Sequence, residues 1–226
     1  DDNYIMIDTG EESLSSEIIN YFKNNNITKL DYLIITHFDK DHVGSAANVI
    51  NNIEVKNVLQ SNVPKESEYY TNYLSALSNK DINPITIAND YDISISDLKI
   101  VVNGPTEVYD NDESNNSSLI TSIVYNDTSF LFTGDAENAR LKDYISTNQN
   151  TYNFIKIPYH GNYIKRLDDL FENTKPQYAV ITSSDDEKED EKTITLLDEY
   201  SIKYYLTREG SINVLSNGKE IKINQN

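Results

Sequence analysis

The order of apolar patterns along the chain limits its fold more than any other feature. Strand-like runs alternate with helical periodicity over residues 4–78 and again over residues 136–223, whereas short strands separated by polar turns follow one another over residues 93–133. Alternation of strands with helices favours parallel sheets covered by helices, and consecutive short strands favour antiparallel pairs. Together these patterns predict an α/β class fold, an α/β/β/α sandwich of two stacked sheets with helices on both outer faces.

The composition is that of one folded domain. The chain has 226 residues, of which 38% are hydrophobic and 25% are charged, so it can bury a sizeable core. The sequence contains neither a fixed-period repeat nor a linker rich in proline, glycine or serine. We therefore expect a single domain over residues 1–226.

The charge balance is strongly acidic. Asp and Glu number 37 against 19 Lys and Arg, which gives a formal net charge of −18. Such a surface repels nucleic acid and anionic lipid at long range. No apolar run approaches the ~18 residues that a membrane-spanning helix needs, so we expect no membrane span in this chain. The compartment stays open between the cytoplasm and, if a leader has been removed, an extracytoplasmic location.

The absence of cysteine narrows the chemistry. Disulfide frameworks, zinc ribbons and thiol nucleophiles are excluded. The chain has three histidines, so a metal site or an acid–base pair must be built from them together with Asp and Glu.

A polar loop follows the buried strand expected at Leu30–Thr36. Its imidazoles and carboxylates are His37, Asp39, Asp41 and His42. Zinc, manganese and iron accept both kinds of ligand without a thiol. The first two of these side chains can reach one cation, and the other two can turn toward a second. Gly44 follows them and would let the next helix pack close to the loop.

Two further apolar strands end in groups of the same kind. Phe130–Thr133 is followed by a glycine and Asp135, and the strand expected at Asn153–Pro158 is followed closely by His160. Strand ends are where a rigid sheet presents side chains to a cleft. A single histidine in such a place is usually structural, but here every histidine of the chain lies at the end of an apolar strand or in the loop after it. We therefore expect the three strand ends to share one site.

These motifs resemble the signature of the metallo-β-lactamase superfamily. The usual form is His-x-His-x-Asp-His, and this chain has His37-x-Asp39-x-Asp41-His42. Aspartate in the second position resembles the hydrolase domain of the ComEC-type competence DNA-uptake proteins. The other segments that resemble this subfamily, in the same order, are Ile7–Gly10, Asn115–Leu119, Thr133–Asp135, Pro158–Gly161, Thr207–Ile212 and Ser216–Lys219. The resemblance covers nearly the whole chain, although the family's first strand is absent or shortened.

The resemblance implies two divalent metal ions, with zinc favoured and manganese as the alternative. It places His37 and Asp39 on the first ion, with Asn116 near it. It places three side chains on the second ion, namely Asp41, His42 and His160. Asp135 would bridge the two ions. The cations would also neutralise three converging aspartates, which are costly as a cluster of like charges.

Two residues are expected to act in catalysis. Asp41 would also orient the attacking water, and Tyr159 would give a hydroxyl to the leaving group or to an oxyanion unless it is a packing residue. Ser118 and Lys156, like Asn116, are expected close to the metals or the substrate.

The chain departs from the ComEC-type pattern at three places. The subfamily usually has a histidine where this chain has Tyr159, and a serine where it has Asn162. A late His-Pro motif is expected near residues 183–193, but residues 183–192 form an acidic run that we interpret as a solvated, mobile loop. Loss of that histidine predicts weakened turnover or a changed substrate.

The resemblance implies a metal-dependent phosphodiesterase or nuclease that uses a metal-bound hydroxide at a two-metal site. A small or single-stranded phosphodiester fits the charge of −18 better than duplex DNA does. Two alternatives stay open: a metallo-hydrolase of another ester, a lactone or a lactam, and a degenerate domain that serves as a metal-binding or interaction module. The sequence leaves the oligomeric state unknown.

Overall fold

A computed structural model of the protein describes residues 2–106, 109 and 114–226. The strands in this part of the chain are β1 (Ile5–Ile7), β2 (Lys29–Leu30), β3 (Tyr32–Ile35), β4 (Glu54–Val55), β5 (Val58–Ser61), β6 (Ile85–Ile87), β7 (Tyr91–Ile95), β8 (Leu98–Asn103), β9 (Ile120–Tyr125), β10 (Thr128–Phe132), β11 (Phe154–Lys156), β12 (Tyr178–Ile181), β13 (Lys203–Leu206), β14 (Ile212–Ser216) and β15 (Ile221–Gln225). The α-helices are α1 (Ser15–Asn24), α2 (Lys40–Val43), α3 (Ala46–Asn52), α4 (Glu68–Asn79), α5 (Asn138–Thr147), α6 (Leu167–Thr174) and α7 (Glu191–Glu199). Short 3₁₀ segments lie at Glu12–Leu14, Ser114–Ser117, Tyr159–Gly161 and Thr207–Glu209.

Two sheets carry the fold. One is a parallel four-stranded sheet in the order β1-β3-β5-β6. The other has seven strands in the order β13-β12-β11-β10-β9-β8-β7, parallel from β10 to β13 and antiparallel from β7 to β10. Two small pairs, β2 with β4 and β14 with β15, complete the pairing. The parallel and antiparallel halves follow the patterns that the sequence showed.

Apolar side chains form three layers. In β3, Ile34 points between the two sheets, whereas Leu33 and Ile35 face the helices, because successive side chains of a strand alternate in direction. α1, α3 and α4 cover this outer face of the four-stranded sheet. α5, α6 and α7 cover the outer face of the seven-stranded sheet through residues such as Leu141 and Phe171. Each fully buried aliphatic side chain contributes roughly 1.5–3 kcal/mol. The architecture is therefore the predicted α/β/β/α sandwich.

The strand expected over Leu30–Thr36 is divided at Asp31. Its carboxylate accepts a hydrogen bond from the Tyr4 N–H at 3.0 Å and another from Lys56 Nζ at 2.8 Å. These bonds lie at the turn between β2 and β3. The apolar run therefore contributes β2 to the small pair with β4 and β3 to the four-stranded sheet.

A backbone hydrogen bond links the two sheets at the end of β3 and the start of β9. The N–H of Leu119 donates to the carbonyl oxygen of Thr36 at 3.0 Å, which joins the segment before β9 to the end of β3. In the described part of the chain, none of the helices has the length and apolar character to cross a bilayer. The single domain over residues 1–226 and the shortened first strand stay predictions.

Candidate metal centre

The loop after β3 is held in place by a close backbone contact at Gly44. A Cβ atom there would lie 2.3 Å from the carbonyl oxygen of Lys40 and 2.6 Å from the amide nitrogen of Glu12, so only glycine fits. The contact lets the turn after β1 dock on α2, where the Thr9 N–H donates to the carbonyl oxygen of His42 at 2.8 Å. The turn thereby comes to lie beside one of the predicted ligands.

The loop after β11 reverses direction through left-handed backbone. Tyr159 and His160 have φ of 50° and 52°, which residues with a side chain adopt rarely and at a cost. At the following Gly161, a Cβ atom would lie 2.7 Å from Ile181 Cγ2, so the reversal is packed tightly against β12. The reversal turns the His160 ring toward the end of β10.

Four of the predicted ligands converge. Ligand atoms of four side chains all lie within 4.8 Å of one another, and these are Asp41, His42, Asp135 and His160. His160 Nε2 lies 3.0 Å from an oxygen of Asp41 and 3.0 Å from Asp135 Oδ2. His42 Nε2 lies 3.2 Å from the same Asp135 oxygen. We call these four residues the four-residue cluster.

His37 and Asp39 form a pair next to this cluster. His37 Nε2 lies 3.9 Å from Asp39 Oδ1. The rings of His37 and His42 are in contact, with centroids 4.1 Å apart. The structure thus brings all six predicted ligands into one region, with Asp135, the predicted bridge, in the four-residue cluster. Their roles as ligands stay a prediction.

The imidazoles of the cluster turn the same nitrogen toward its centre. The Nε2 atoms of His42 and His160 are buried and lie 3.2 and 3.0 Å from Asp135 Oδ2. His42 Nδ1 lies 2.7 Å from Asp8 Oδ2, and His160 Nδ1 lies 2.7 Å from the carbonyl oxygen of Thr182. Because these oxygens only accept, each Nδ1 carries a proton, so Nε2 is the nitrogen that the neutral ring offers to a cation. This is the arrangement of metal-binding histidines.

His37 is held in the same way through a relay. Its Nδ1 lies 3.1 Å from Thr36 Oγ1, and this hydroxyl donates to Asp8 Oδ2 at 2.7 Å. The hydroxyl therefore accepts the proton of His37 Nδ1, and the buried His37 Nε2 has no hydrogen-bond partner among the described residues. Sequence reasoning missed Asp8 as a functional residue. Its place in the Ile7–Gly10 segment was the signal that could have identified it.

The acids of the site are held ionised. Burial alone would raise the pKa of Asp135, but Lys156 and His42 hold it well below the usual range. Burial likewise opposes ionisation of Asp41, and the hydrogen bond with His160 nevertheless lowers its pKa to about 2. The carboxylates of Asp41 and Asp135 therefore stay negatively charged.

The imidazoles respond to this charge. Burial would lower the pKa of His42, but the charges of Asp8 and Asp135 raise it to about 10. The pKa of His160 rises to about 9 for similar reasons, since hydrogen bonds with Asp135 and Asp41 outweigh its burial. The acids therefore attract positive charge strongly, and a divalent cation supplies such charge. The donor set of imidazoles and carboxylates fits zinc or manganese.

Two lysines reach the site. Lys156 Nζ donates to Asp135 Oδ1 at 3.2 Å and to the carbonyl oxygen of Gly134 at 2.8 Å. Lys65 Nζ donates to Asp39 Oδ1 at 2.5 Å. The sequence indicated Lys156. It gave no signal for Lys65, which lies alone in the loop between β5 and α4.

Ser118 contacts two of the predicted ligands. Its Oγ lies 3.4 Å from His37 Nδ1 and accepts the N–H of Asp135 at 3.1 Å. Asn116 is buried, and its Oδ1 accepts the N–H of Arg140 at 3.0 Å, which ties it to α5. The nearness of Asn116 to a metal ion stays a prediction.

Tyr159 is half-buried beside the core under α5, α6 and α7. Burial raises the pKa of its hydroxyl, and the charges of Glu137 and Asp135 raise it further, so the group stays protonated and can donate. In the acidic run, residues 184–188 are exposed, as a solvated loop would be. Glu189 is different, because its carboxylate pairs with Arg208 at 3.0 Å.

A cavity of about 820 Å³ opens beside the site. The polar part of its wall includes Asp41, His42, Lys156 and His160. The remainder is mostly apolar and lies between the sheets, with Phe130, Phe132 and Phe154 among its residues. The four-residue cluster is therefore reachable by a small molecule.

Sequence comparison identifies the family. The model of the metallo-β-lactamase superfamily matches residues 1–182. ComE operon protein 3 of Bacillus subtilis (strain 168) is 25% identical over 227 residues, which cover 90% of this chain and 29% of that protein. The chain thus spans less than a third of that relative's length. The match confirms the ComEC-type resemblance of the motifs.

Solved structures show the same fold. The metallo-β-lactamase fold protein YhfI from Bacillus subtilis has a TM-score of 0.58 at 10% identity, covering 90% of this chain and 84% of that chain. Igni18, described as a novel metallo hydrolase from Ignicoccus hospitalis KIN4/I, has a TM-score of 0.51 at 13% identity and covers 87% and 80%. Because the family model covers most of the chain, the chain belongs to the metallo-β-lactamase superfamily, as a metal-dependent hydrolase of that superfamily.

Proposed function

We propose that the protein is a phosphodiesterase that acts on a small or single-stranded phosphodiester with two divalent metal ions. The observation that carries this proposal is the convergence of three buried Nε2 atoms on ionised carboxylates, with each Nδ1 held by an oxygen. A degenerate interaction module would have no need for this arrangement, because the buried Nε2 of His37 lacks a hydrogen-bond partner among the described residues, and such an atom is costly.

The six predicted ligands would divide between the two ions. The four-residue cluster would hold one ion, and the His37–Asp39 pair would hold the other, with Asp135 shared. Bound zinc or manganese lowers the pKa of water and offsets negative charge on an ester undergoing attack. Zinc is the first choice for this donor set, and manganese is the alternative.

The two lysines favour an anionic substrate. Lys65 and Lys156 each bring an ammonium group to a predicted ligand, Asp39 and Asp135, in a protein whose net charge is −18. With cations present, the cleft is locally positive while the exterior stays negative. A phosphodiester group suits such a cleft, but long duplex DNA would meet the acidic exterior as well. A small or single-stranded substrate follows from this contrast.

The protein's own groups have distinct tasks in this proposal. Asp41 has a side chain that is 35% exposed, against 4% for Asp135, so it is the more accessible to water. With its pKa at about 2, Asp41 accepts a hydrogen bond well but takes up a proton poorly. We therefore assign it the orientation of the attacking water. Tyr159 keeps its proton and would donate it to the leaving oxygen.

The test is hydrolysis of bis(p-nitrophenyl) phosphate by protein whose metal content has been measured. We expect turnover with zinc or manganese and a loss of at least about 100-fold in His42→Ala, which lacks a ligand. Asp92→Asn, a change of an exposed acid on β7, serves as the control and should keep full activity. Loaded protein that leaves the diester intact but opens a lactone or a β-lactam would refute the phosphodiesterase proposal. Protein that binds no metal under any condition would favour the interaction module.

A further inference from the structure

Lys65 forms a hydrogen bond to the oxygen of Asp39 that one of the two proposed ions would need as a ligand. Its Nζ donates to Asp39 Oδ1 at 2.5 Å. The same oxygen lies 3.9 Å from His37 Nε2, which makes it the oxygen of Asp39 available to an ion shared with His37. The ammonium group therefore lies where the ligand oxygen of this pair would meet a cation.

The four-residue cluster has a different arrangement. At Asp135, Lys156 contacts Oδ1, whereas the Nε2 atoms of His42 and His160 face Oδ2. The oxygen that faces the two imidazoles therefore has no lysine on it. A cation can enter this cluster without displacing an ammonium group.

The buried nitrogen of His37 is independent evidence that the pair is built for a ligand. The His37 side chain is fully buried, and its Nε2 has no hydrogen-bond partner among the described residues. Its Nδ1 is taken up by Thr36 Oγ1 at 3.1 Å, so Nε2 is the ring nitrogen left for a ligand. A metal ion is the partner that this nitrogen lacks.

Lys65 is able to leave. Its side chain is 37% exposed and sits on a flexible four-carbon stem, so the ammonium group can move into solvent. Its departure costs the ion pair with Asp39, and this cost must be subtracted from the binding energy of an ion at the His37–Asp39 pair.

We propose that Lys65 competes with a metal ion for Asp39, so that the four-residue cluster fills first and the His37–Asp39 pair fills second and more weakly. This inference rests on the two-ion site of the proposed function. Under this proposal, the population of protein with two bound ions depends on the concentration of free metal, and Lys65 is the residue that causes this dependence.

The test counts bound ions in the absence of substrate. Protein is equilibrated in buffers of stepwise increasing free zinc, and native mass spectrometry measures the populations with none, one and two ions. For the wild type we expect two steps separated by at least about tenfold in zinc concentration. In Lys65→Met, the second step should move to about tenfold lower zinc, whereas the first should stay within about threefold.

Two variants control for charge. Lys40→Met removes a lysine at the start of α2, next to Asp39 in the chain, whose Nζ pairs with Glu11 at 3.3 Å and not with a predicted ligand. It should leave both steps near their wild-type positions, and Lys65→Arg should keep the late second step. An equal shift in Lys40→Met would mean general electrostatics and would overturn the inference, as would an unchanged second step in Lys65→Met. Binding of no zinc by any variant would instead refute the two-ion site itself.

Discussion

Asp8 and His42 are joined by a contact of 2.7 Å between Oδ2 and Nδ1, although 34 positions separate them in the sequence. The same carboxylate accepts the N–H of Thr36 at 2.8 Å and its hydroxyl at 2.7 Å. Asp8 therefore fixes the orientation of His42 directly and that of His37 through Thr36. One acid from the turn after β1 thus supports both groups of predicted ligands.

Replacement of Asp8 should weaken metal binding without removing a ligand. We expect Asp8→Asn to lower zinc affinity by about 10–100-fold. The asparagine amide is neutral, so it accepts the hydrogen bond from His42 Nδ1 more weakly than the ionised carboxylate does. Isothermal titration calorimetry with zinc measures the effect, and Asp92→Asn provides the matched exposed control. Equal zinc affinity in wild type and Asp8→Asn would show that the contact does not support a metal ligand.

Asp135 and His160 should differ in how many ions they retain. Asp135 is proposed to share its carboxylate between the two ions, and it already faces His42 and His160 with one oxygen, so its loss should lower occupancy of both positions. His160 belongs to the four-residue cluster alone, so His160→Ala should mainly lower occupancy of one. Elemental analysis of Asp135→Ala and His160→Ala, each dialysed against the same zinc buffer, gives the comparison. If both variants kept the full wild-type metal content, the ligand assignment would be wrong.

Tyr159 should matter only when the leaving group needs a proton. We expect Tyr159→Phe to hydrolyse bis(p-nitrophenyl) phosphate at nearly the wild-type rate, since p-nitrophenolate leaves without protonation. On an alkyl phosphodiester, the variant should lose about 100-fold or more in kcat. Tyr163→Phe, which changes an exposed tyrosine of the same segment, should behave as wild type on both substrates. Equal losses on the two esters would argue for a packing role.

Asp31 should add stability that disappears in acid. The hydrogen bond from Lys56, followed by that from the Tyr4 N–H, holds the pKa of the Asp31 carboxyl below its ordinary value of 3.8. A group with a lowered pKa in the folded state stabilises the fold above its unfolded pKa and loses this contribution as the pH falls through the folded value. The difference in urea midpoint between wild type and Asp31→Asn should therefore be largest near pH 7 and shrink below about pH 4. A difference that stayed constant from pH 7 to pH 2.5 would contradict this account.

The layered fold and the convergence of the imidazoles and carboxylates could be predicted from the sequence because both follow from local patterns. Strand-like and helical periodicity predict the sandwich, and the imidazoles and carboxylates lie at strand ends, where a sheet brings residues together. α6 was not predicted, although Leu167, Leu170 and Phe171 carry the helical spacing that could have identified it. β6 was also missed, because three residues after Pro84 are too few for a periodic signal.

The interactions that complete the site could not be predicted in the same way. Asp8 meets His42 only because the Gly44 contact docks one turn on α2, and Lys65 reaches Asp39 from a loop 26 positions away. Such pairs depend on how elements pack, and no spacing within one element encodes them.

The central claim is that Asp41, His42, Asp135 and His160 surround a divalent cation. Anomalous diffraction from a crystal grown with zinc, recorded on both sides of the zinc absorption edge, tests it most directly. The account predicts an anomalous peak about 2.0–2.2 Å from the Nε2 atoms of His42 and His160. Zinc peaks confined to other parts of the surface, with this cluster free of metal in protein that contains zinc, would contradict it.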